Sequence, residues 1–197
     1  MKITKRNDKR YPYKVITDGK RILVPQQKQF GEYCRNHGCS VTACSIALQY
    51  LGIKQDDGTV WNPKEVYEYA KKHIDGYNGS KLTIYGCKEL INAIAGDEVA
   101  FWYSNDGKHN TSIRGKIDKH LRAGHLILFE EKDPVHTIVL LGIDRKGRYI
   151  VATNGKVVRR SRAGEIRKAL HGFRGAKNQR NWWSGRDRGA GYVVVKG

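Results

Sequence analysis

The stretch that decides the fold is Gly38-Cys-Ser-Val-Thr-Ala-Cys-Ser-Ile-Ala-Leu-Gln-Tyr-Leu-Gly52. Its apolar side chains recur at helical spacing, at Val41, Cys44, Ala47, Leu48 and Leu51. With Gly52 suited to a C-terminal cap, the pattern predicts a helix from Cys39 to Leu51. Because the stretch is apolar on most sides, we expect this helix to be central and buried.

Helices are predicted mainly before residue 124 and strands after it. Asn62, Pro63 and Glu65 form a capping box that predicts a helix to about His73. Further helices are predicted over about 86–95, 113–123 and 161–170, and strands over about 99–103, 125–129, 136–141, 148–152 and 191–196. Residues 26–38 form a polar, glycine-containing segment that we expect to be a loop. This order indicates an α+β fold, with the central helix packed on a mostly antiparallel sheet.

The chain has 197 residues, which fits one ordinary domain. We expect residues 1–28 to form a basic arm or hairpin, with Asp18-Gly19 as a turn. Residues 29–197 would then form a single catalytic domain with a basic C-terminal segment at 156–190.

The net charge of +18 is carried by the two ends of the chain. Residues 1–28 hold nine basic and two acidic residues, and residues 145–197 hold fifteen basic and two acidic ones. Residues 29–144 are close to neutral, with thirteen basic and fifteen acidic residues. Such ends favour a polyanion such as nucleic acid, teichoic acid or an anionic membrane surface.

Membrane and disulfide-rich classes are disfavoured by the sequence. The longest apolar run, Thr137–Ile143, is too short to span a bilayer, and no apolar stretch follows the basic start as in a secretory signal. We therefore expect a cytoplasmic protein, or one that leaves by another route or has lost a leader. The four cysteines do not form a disulfide framework in a chain of this length without a signal.

A cysteine at a helix start, a histidine on a later strand and an asparagine after the next strand form a thiol-hydrolase pattern. A helix N-terminus favours a reactive thiolate at Cys39. His136 would take up the thiol proton and later protonate the leaving amine, while Asn154 would orient the imidazole. Gln29 is the candidate side-chain donor to the oxyanion, with Gln27 and Gln26 as substitutes.

These residues lie in motifs that resemble papain-like cysteine peptidases of the bacteriocin-leader-processing (C39-like) type. Residues 38–52 resemble their catalytic helix, roughly Gly-Cys-x-x-x-x-x-x-x-x-Leu-x-Tyr-x-Gly. Leu121-Arg-Ala-Gly-His-Leu-Ile-Leu128 is similar to their L-x-x-G-H-P-V-I stretch, and His136–Asp144 to their H-x-x-x-x-x-G-Y-D strand. Asn154-Gly155 falls where these enzymes place Asp or Asn.

The resemblance covers about residues 29–155 and implies a papain-like fold that hydrolyses amide bonds through an acyl-enzyme, with no cofactor. It implies a peptide or peptidoglycan-like substrate. A cell-wall amidase or acyltransferase with the same Cys39, His136 and Asn154 set is the first alternative, because both reactions share the acyl-enzyme.

Other interpretations of the same residues remain open. Cys39 could be an inert buried thiol, Cys34 a rival nucleophile, His125 a substitute base, and Asn154 an ordinary turn residue before glycine. A zinc site would draw on Cys34, His37, Cys39 and Cys44, but their spacing matches no usual structural zinc pattern.

The second functional alternative is a nucleic-acid-binding protein with an inactive hydrolase-like fold. Trp182-Trp183 lie among arginines in the basic C-terminal segment, a composition that suits stacking on bases. The same residues could equally anchor that segment to the domain.

Overall fold

The computed structural model describes residues 1–74, 77, 79, 82–104, 110–132, 135–175, 179–180, 187–188 and 191–197, which form an α+β fold. The helices are α1 (Glu32–His37), α2 (Cys39–Leu51), α3 (Pro63–His73), α4 (Ile84–Ala95), α5 (Asn110–Arg122) and α6 (Arg162–Gly175), with a 3-10 turn at Gln27–Gln29. The strands are β1 (Lys2–Lys5), β2 (Tyr13–Thr17), β3 (Lys20–Val24), β4 (Ala100–Ser104), β5 (Leu126–Lys132), β6 (Val135–Ile143), β7 (Tyr149–Thr153), β8 (Lys156–Arg160), β9 (Gln179–Arg180), β10 (Asp187–Arg188) and β11 (Gly191–Val195).

The described strands form three antiparallel sheets. The largest has the order β4-β11-β5-β6-β7-β8, a second has β1-β2-β3, and β9 pairs with β10. The mostly antiparallel sheet expected from the sequence is therefore confirmed.

Helix α2 lies at the centre of the described fold, as its apolar sequence predicts. Every residue of α2 except Leu51 is buried, and the helix contacts β3, β6, α3 and α4. It ends at Gly52, which has a φ of 76° and whose N–H donates to carbonyls of the last turn. An amphipathic helix could not be surrounded in this way without burying unpaired polar groups.

Side chains alternate between the two faces of the six-stranded sheet, so each face carries its own core. On β6, Val139 and Leu141 pack in the core that contains α2, whereas Ile138 and Leu140 pack in the core that contains α5 and α6. The sheet is thus covered on both faces, and a residue's position along a strand decides which core it meets.

Local capping signals place the ends of α3 and α4. Asn62 accepts hydrogen bonds from the N–H groups of Lys64 and Glu65, and Glu65 returns one to the Asn62 N–H, which confirms the predicted capping box. Helix α4 begins two residues earlier than predicted because the hydroxyl of Thr83 accepts from the Gly86 N–H.

The basic N-terminal residues form a hairpin, β2–β3, with β1 added at its edge. The turn Asp18-Gly19 has φ values of 50° and 75°, as a two-residue hairpin turn requires. Val15, Ile22 and Val24 are buried in the α2 core, so one face of this sheet packs against the rest of the chain.

One prediction of local structure is wrong, and the strand β8 was missed. The expected loop 26–38 contains the 3-10 turn and α1. Both segments are short and polar, and tertiary packing overrides a weak local pattern in such segments. The Trp182-Trp183 pair lies outside the described residues.

Candidate active site

Cys39 is the first residue of α2 and is 8% exposed. Its sulfur lies 3.9 Å from the hydroxyl of Ser40. The helix start that the sequence predicts for this thiol is confirmed, but it follows α1 directly. Cys39 therefore lies at a junction between two helices, with Gly38 as the only residue between them.

Gly38 allows that junction because it has no side chain. A Cβ atom at this position would lie 2.4 Å from Cys34 Cα and 2.6 Å from the Cys34 carbonyl oxygen. Backbone atoms cannot move aside as the end of a side chain can. The close approach of α1 to the start of α2 thus fixes where Cys39 begins its helix.

A pair of hydroxyls ties the start of α2 to the start of β6. Ser40 Oγ donates to the Leu82 carbonyl at 2.9 Å and lies 3.0 Å from Thr137 Oγ1. Ser40 follows Cys39 and Thr137 follows His136, so the backbones that carry the predicted nucleophile and base are neighbours.

The imidazole of His136 does not lie on the Cys39 side of the sheet. Thr137 contacts α2, and strand alternation turns His136 to the opposite face. Its neighbour across the strands, Glu131, contacts Arg160 of β8 on that face. His136 Nε2 is hydrogen bonded to Thr153 Oγ1 at 2.8 Å, where the sequence prediction expected Asn154.

Asn154 has the geometry of a turn residue. Asn154 and Gly155 have φ values of 45° and 70° and form the two-residue turn that joins Thr153 of β7 to Lys156 of β8. A type I′ turn needs positive φ at both positions and favours Asn-Gly. The alternative that Asn154 is an ordinary turn residue therefore accounts for its conformation here.

The three candidate glutamines occupy different environments. Gln29 is exposed on the 3-10 turn. Gln27 Nε2 donates to the Arg35 carbonyl of α1 at 3.4 Å, and its Oε1 is buried. Gln26 packs against the Asn154-Gly155 turn, so closely that a Cβ at Gly155 would lie 2.8 Å from Gln26 Cβ. Gln27 thus contacts α1, the helix that precedes Cys39, whereas Gln29 is exposed.

The other cysteines lie in the core. Cys34 is 1% exposed, and burial, followed by the charge of Glu68, raises its pKa to about 11. A raised pKa disfavours the thiolate, so Cys34 is a poor rival to Cys39. The pKa of Cys87 is raised mainly by its hydrogen bond with Cys44 and by burial.

A tyrosine cluster beside Cys39 was not predicted from the sequence. Tyr33 stacks on Tyr67 with ring centroids 3.7 Å apart, and its hydroxyl lies 3.0 Å from the hydroxyl of Tyr77. Burial raises the pKa of Tyr33 to about 12, and the nearby Cys34 and Cys39 add to this effect. Only the position of Tyr33, six residues before Cys39, could have drawn attention to it.

Two further alternatives concern His125 as a substitute base and a zinc site. His125 Nδ1 lies 3.2 Å from His120 Nδ1, at the end of α5. Within the described ranges, no group of three or more His, Cys, Asp or Glu side chains is arranged to hold a metal ion.

Comparison with models of known protein families found no match to this chain, and a search of curated proteins found none. Within the part of the chain that the structure describes, no helix is both long and apolar enough to cross a membrane.

Proposed function

We propose that the chain is a papain-like cysteine peptidase or amidase that cleaves a peptide or amide bond through an acyl-enzyme on Cys39. The observation that carries the proposal is the position of Cys39 as the first residue of the buried central helix α2. The next residue, Ser40, lies 3.0 Å from Thr137, the strand residue that follows His136. The resemblance of residues 38–52 and 136–144 to the bacteriocin-leader-processing peptidases supports the same proposal.

The reaction needs a nucleophile, a base that returns its proton, donors to the oxyanion, and Asn154 to orient the imidazole. The Cys39 thiolate adds to the substrate carbonyl, and donors near the α1–α2 junction stabilise the resulting oxyanion. His136 accepts the thiol proton and gives it to the leaving amine as the carbon–nitrogen bond breaks. Water, deprotonated by His136, then adds to the thioester and releases the carboxylate and the Cys39 thiol. The mechanism uses no cofactor.

The proposal makes one definite demand on the structure. For catalysis, the His136 imidazole has to leave Thr153 and face Cys39. Because neighbouring residues of a strand face opposite sides, this movement would turn Thr137 away from Ser40 and break their contact. The proposal therefore requires a rearrangement at the start of β6 that brings the His136 imidazole to Cys39.

The test is hydrolysis of mixed peptides and of peptidoglycan fragments, followed by mass spectrometry. The Cys39→Ala variant should lose all cleavage, whereas Cys34→Ala, which also removes a buried thiol, should retain it. Free acid products indicate a peptidase or amidase, and products joined to an added amine indicate the acyltransferase alternative. Equal cleavage by the Cys39→Ala variant and the wild type would refute the proposal.

A second candidate is a nucleic-acid-binding protein with an inactive hydrolase-like fold. The observation in its favour is the placement of His136 and Thr153 on the face opposite to Cys39. The Cys39→Ala variant distinguishes the two candidates. It would abolish cleavage by a hydrolase, but it would leave nucleic-acid binding unchanged.

A further inference from the structure

The basic residues at the two ends of the chain have different surroundings. In the C-terminal part, Arg148 and Arg159 pair with Asp144, Arg160 with Glu131 and Glu165, and Arg162 with Asp118. Among the described N-terminal residues, only Arg6 forms an ion pair, with Asp8. Most of the described N-terminal cations therefore lack an ion pair within the described residues.

Three of these cations share the outer face of that sheet. The inner face carries Ile3, Val15 and Ile22, which pack on the α2 core. Side-chain alternation then turns the next set outward. The outer-face residues are Lys2, Thr4, Lys14, Ile16, Arg21 and Leu23.

The cations surround an exposed aliphatic side chain. Ile16 is 36% exposed and lies between Lys2 and Arg21 in one cross-strand row. Neighbouring strands are about 4.8 Å apart, which places the backbones of Lys2 and Arg21 about 10 Å apart. Lys14 lies two residues from Ile16 on the same strand. The nearby Asp18 directs its carboxylate toward Gly124 and away from this face.

We propose that this outer face of β1–β3 binds the surface of an anionic lipid bilayer. Lys and Arg near such a surface are attracted by its negative potential, and an aliphatic side chain among them can enter the headgroup boundary. On this face, Lys2, Thr4, Ile16 and Arg21 are exposed. It carries no aromatic side chain, so it lacks the stacking groups that single-stranded nucleic acids favour.

The test is co-sedimentation of the full chain with phosphatidylcholine vesicles that contain or lack phosphatidylserine. The triple variant Lys2→Gln, Lys14→Gln and Arg21→Gln removes the outer-face cations. Each basic residue near the bilayer accounts for about fivefold in binding, so the triple variant should bind the anionic vesicles roughly 100-fold more weakly. Ile16→Ser should weaken binding several-fold without changing its dependence on salt.

The matched control removes the same charge elsewhere. Lys64, Lys71 and Lys72 are exposed on α3, and replacing all three with Gln should reduce vesicle binding far less. Equal loss in the two triple variants would mean that net charge alone drives binding and would overturn the proposal. Duplex DNA that displaces the protein from vesicles, through the same three cations and with higher affinity, would overturn it in favour of nucleic acid.

Discussion

At the scale of single residues, Gly38 controls the position of the predicted nucleophile. Replacing it with Ala would place a Cβ 2.4 Å from Cys34 Cα, so α1 and α2 would have to separate. We expect Gly38→Ala to lower the free energy of unfolding by about 1–3 kcal/mol, as overpacking does. Urea denaturation followed by circular dichroism measures this change.

Gly115 provides the matched control. It lies in α5, and a Cβ there would meet nothing within 4 Å. Gly115→Ala should raise the free energy of unfolding by about 0.5–1 kcal/mol, since Ala favours a helix more than Gly does. An equal change in the free energy of unfolding at the two positions would show that the contact of a Gly38 Cβ with Cys34 does not destabilise the fold.

Glu165 makes the stability of the fold depend on pH. It is 2% exposed and shares the Arg160 guanidinium with Glu131. Burial, together with the hydrogen bond to Glu131, raises the pKa of Glu165 from 4.5 to about 7, whereas that of Glu131 is lowered. A carboxyl with a raised pKa binds more protons in the folded chain, so stability falls as pH rises from about 4.5 to about 7.

We therefore expect Glu165→Gln to remove much of this pH dependence. The glutamine stays neutral, so the variant should gain stability relative to the wild type as pH rises, on the order of 2 kcal/mol between pH 4.5 and 7. Thermal unfolding of both proteins across this range measures the difference. Parallel curves would show that Glu165 titrates alike in the folded and unfolded chains.

At the scale of elements, a substitution in the β7–β8 turn distinguishes two possible roles of Asn154. If Asn154 serves only the turn, Asn154→Gly should retain both stability and cleavage, because Gly adopts positive φ freely. As the imidazole orienter, Asn154 would be essential, and Asn154→Gly would fold normally but lose most cleavage. The hydrolase proposal expects the second result, measured as kcat/KM beside unfolding curves.

Asn154→Ala is the control for strain in the same turn. An Ala with a φ near 45° costs about 1–2 kcal/mol, so this variant should be destabilised whatever the role of the amide. An unchanged melting temperature for Asn154→Ala would mean that the turn relaxes without cost.

At the scale of elements, the ends of some helices could be predicted from the sequence, but the direction of some strand side chains could not. Helix ends with strong local chemistry, such as Asn62 before α3 and Gly52 after α2, were predicted correctly because caps act within one turn. The face of His136 could not be predicted. Thr137–Ile143 is an apolar run buried on both sides, and such a run lacks the polar alternation that marks the two faces of a strand.

At the scale of the whole molecule, the near-neutral middle of the chain holds the basic C-terminal part in place. Asp118, Glu131 and Asp144 come from the middle and bind arginines at 148–162. Sequence charge totals correctly found two basic ends, but they could not show that the described C-terminal cations are partly neutralised. The pairing depends on the sheet order β5-β6-β7-β8 and the packing of α6, which no local pattern specifies.

The most direct test of the account is the reactivity of each cysteine toward limiting iodoacetamide across a pH series, mapped by mass spectrometry. The account predicts that Cys39 reacts fastest and does so below the free-thiol pKa of about 8.5. His136→Ala should abolish this low-pH reactivity, and Thr153→Val, which removes the competing hydrogen bond, should increase it. A Cys39 that reacts no faster than Cys34 and is unaffected by either substitution would contradict the account.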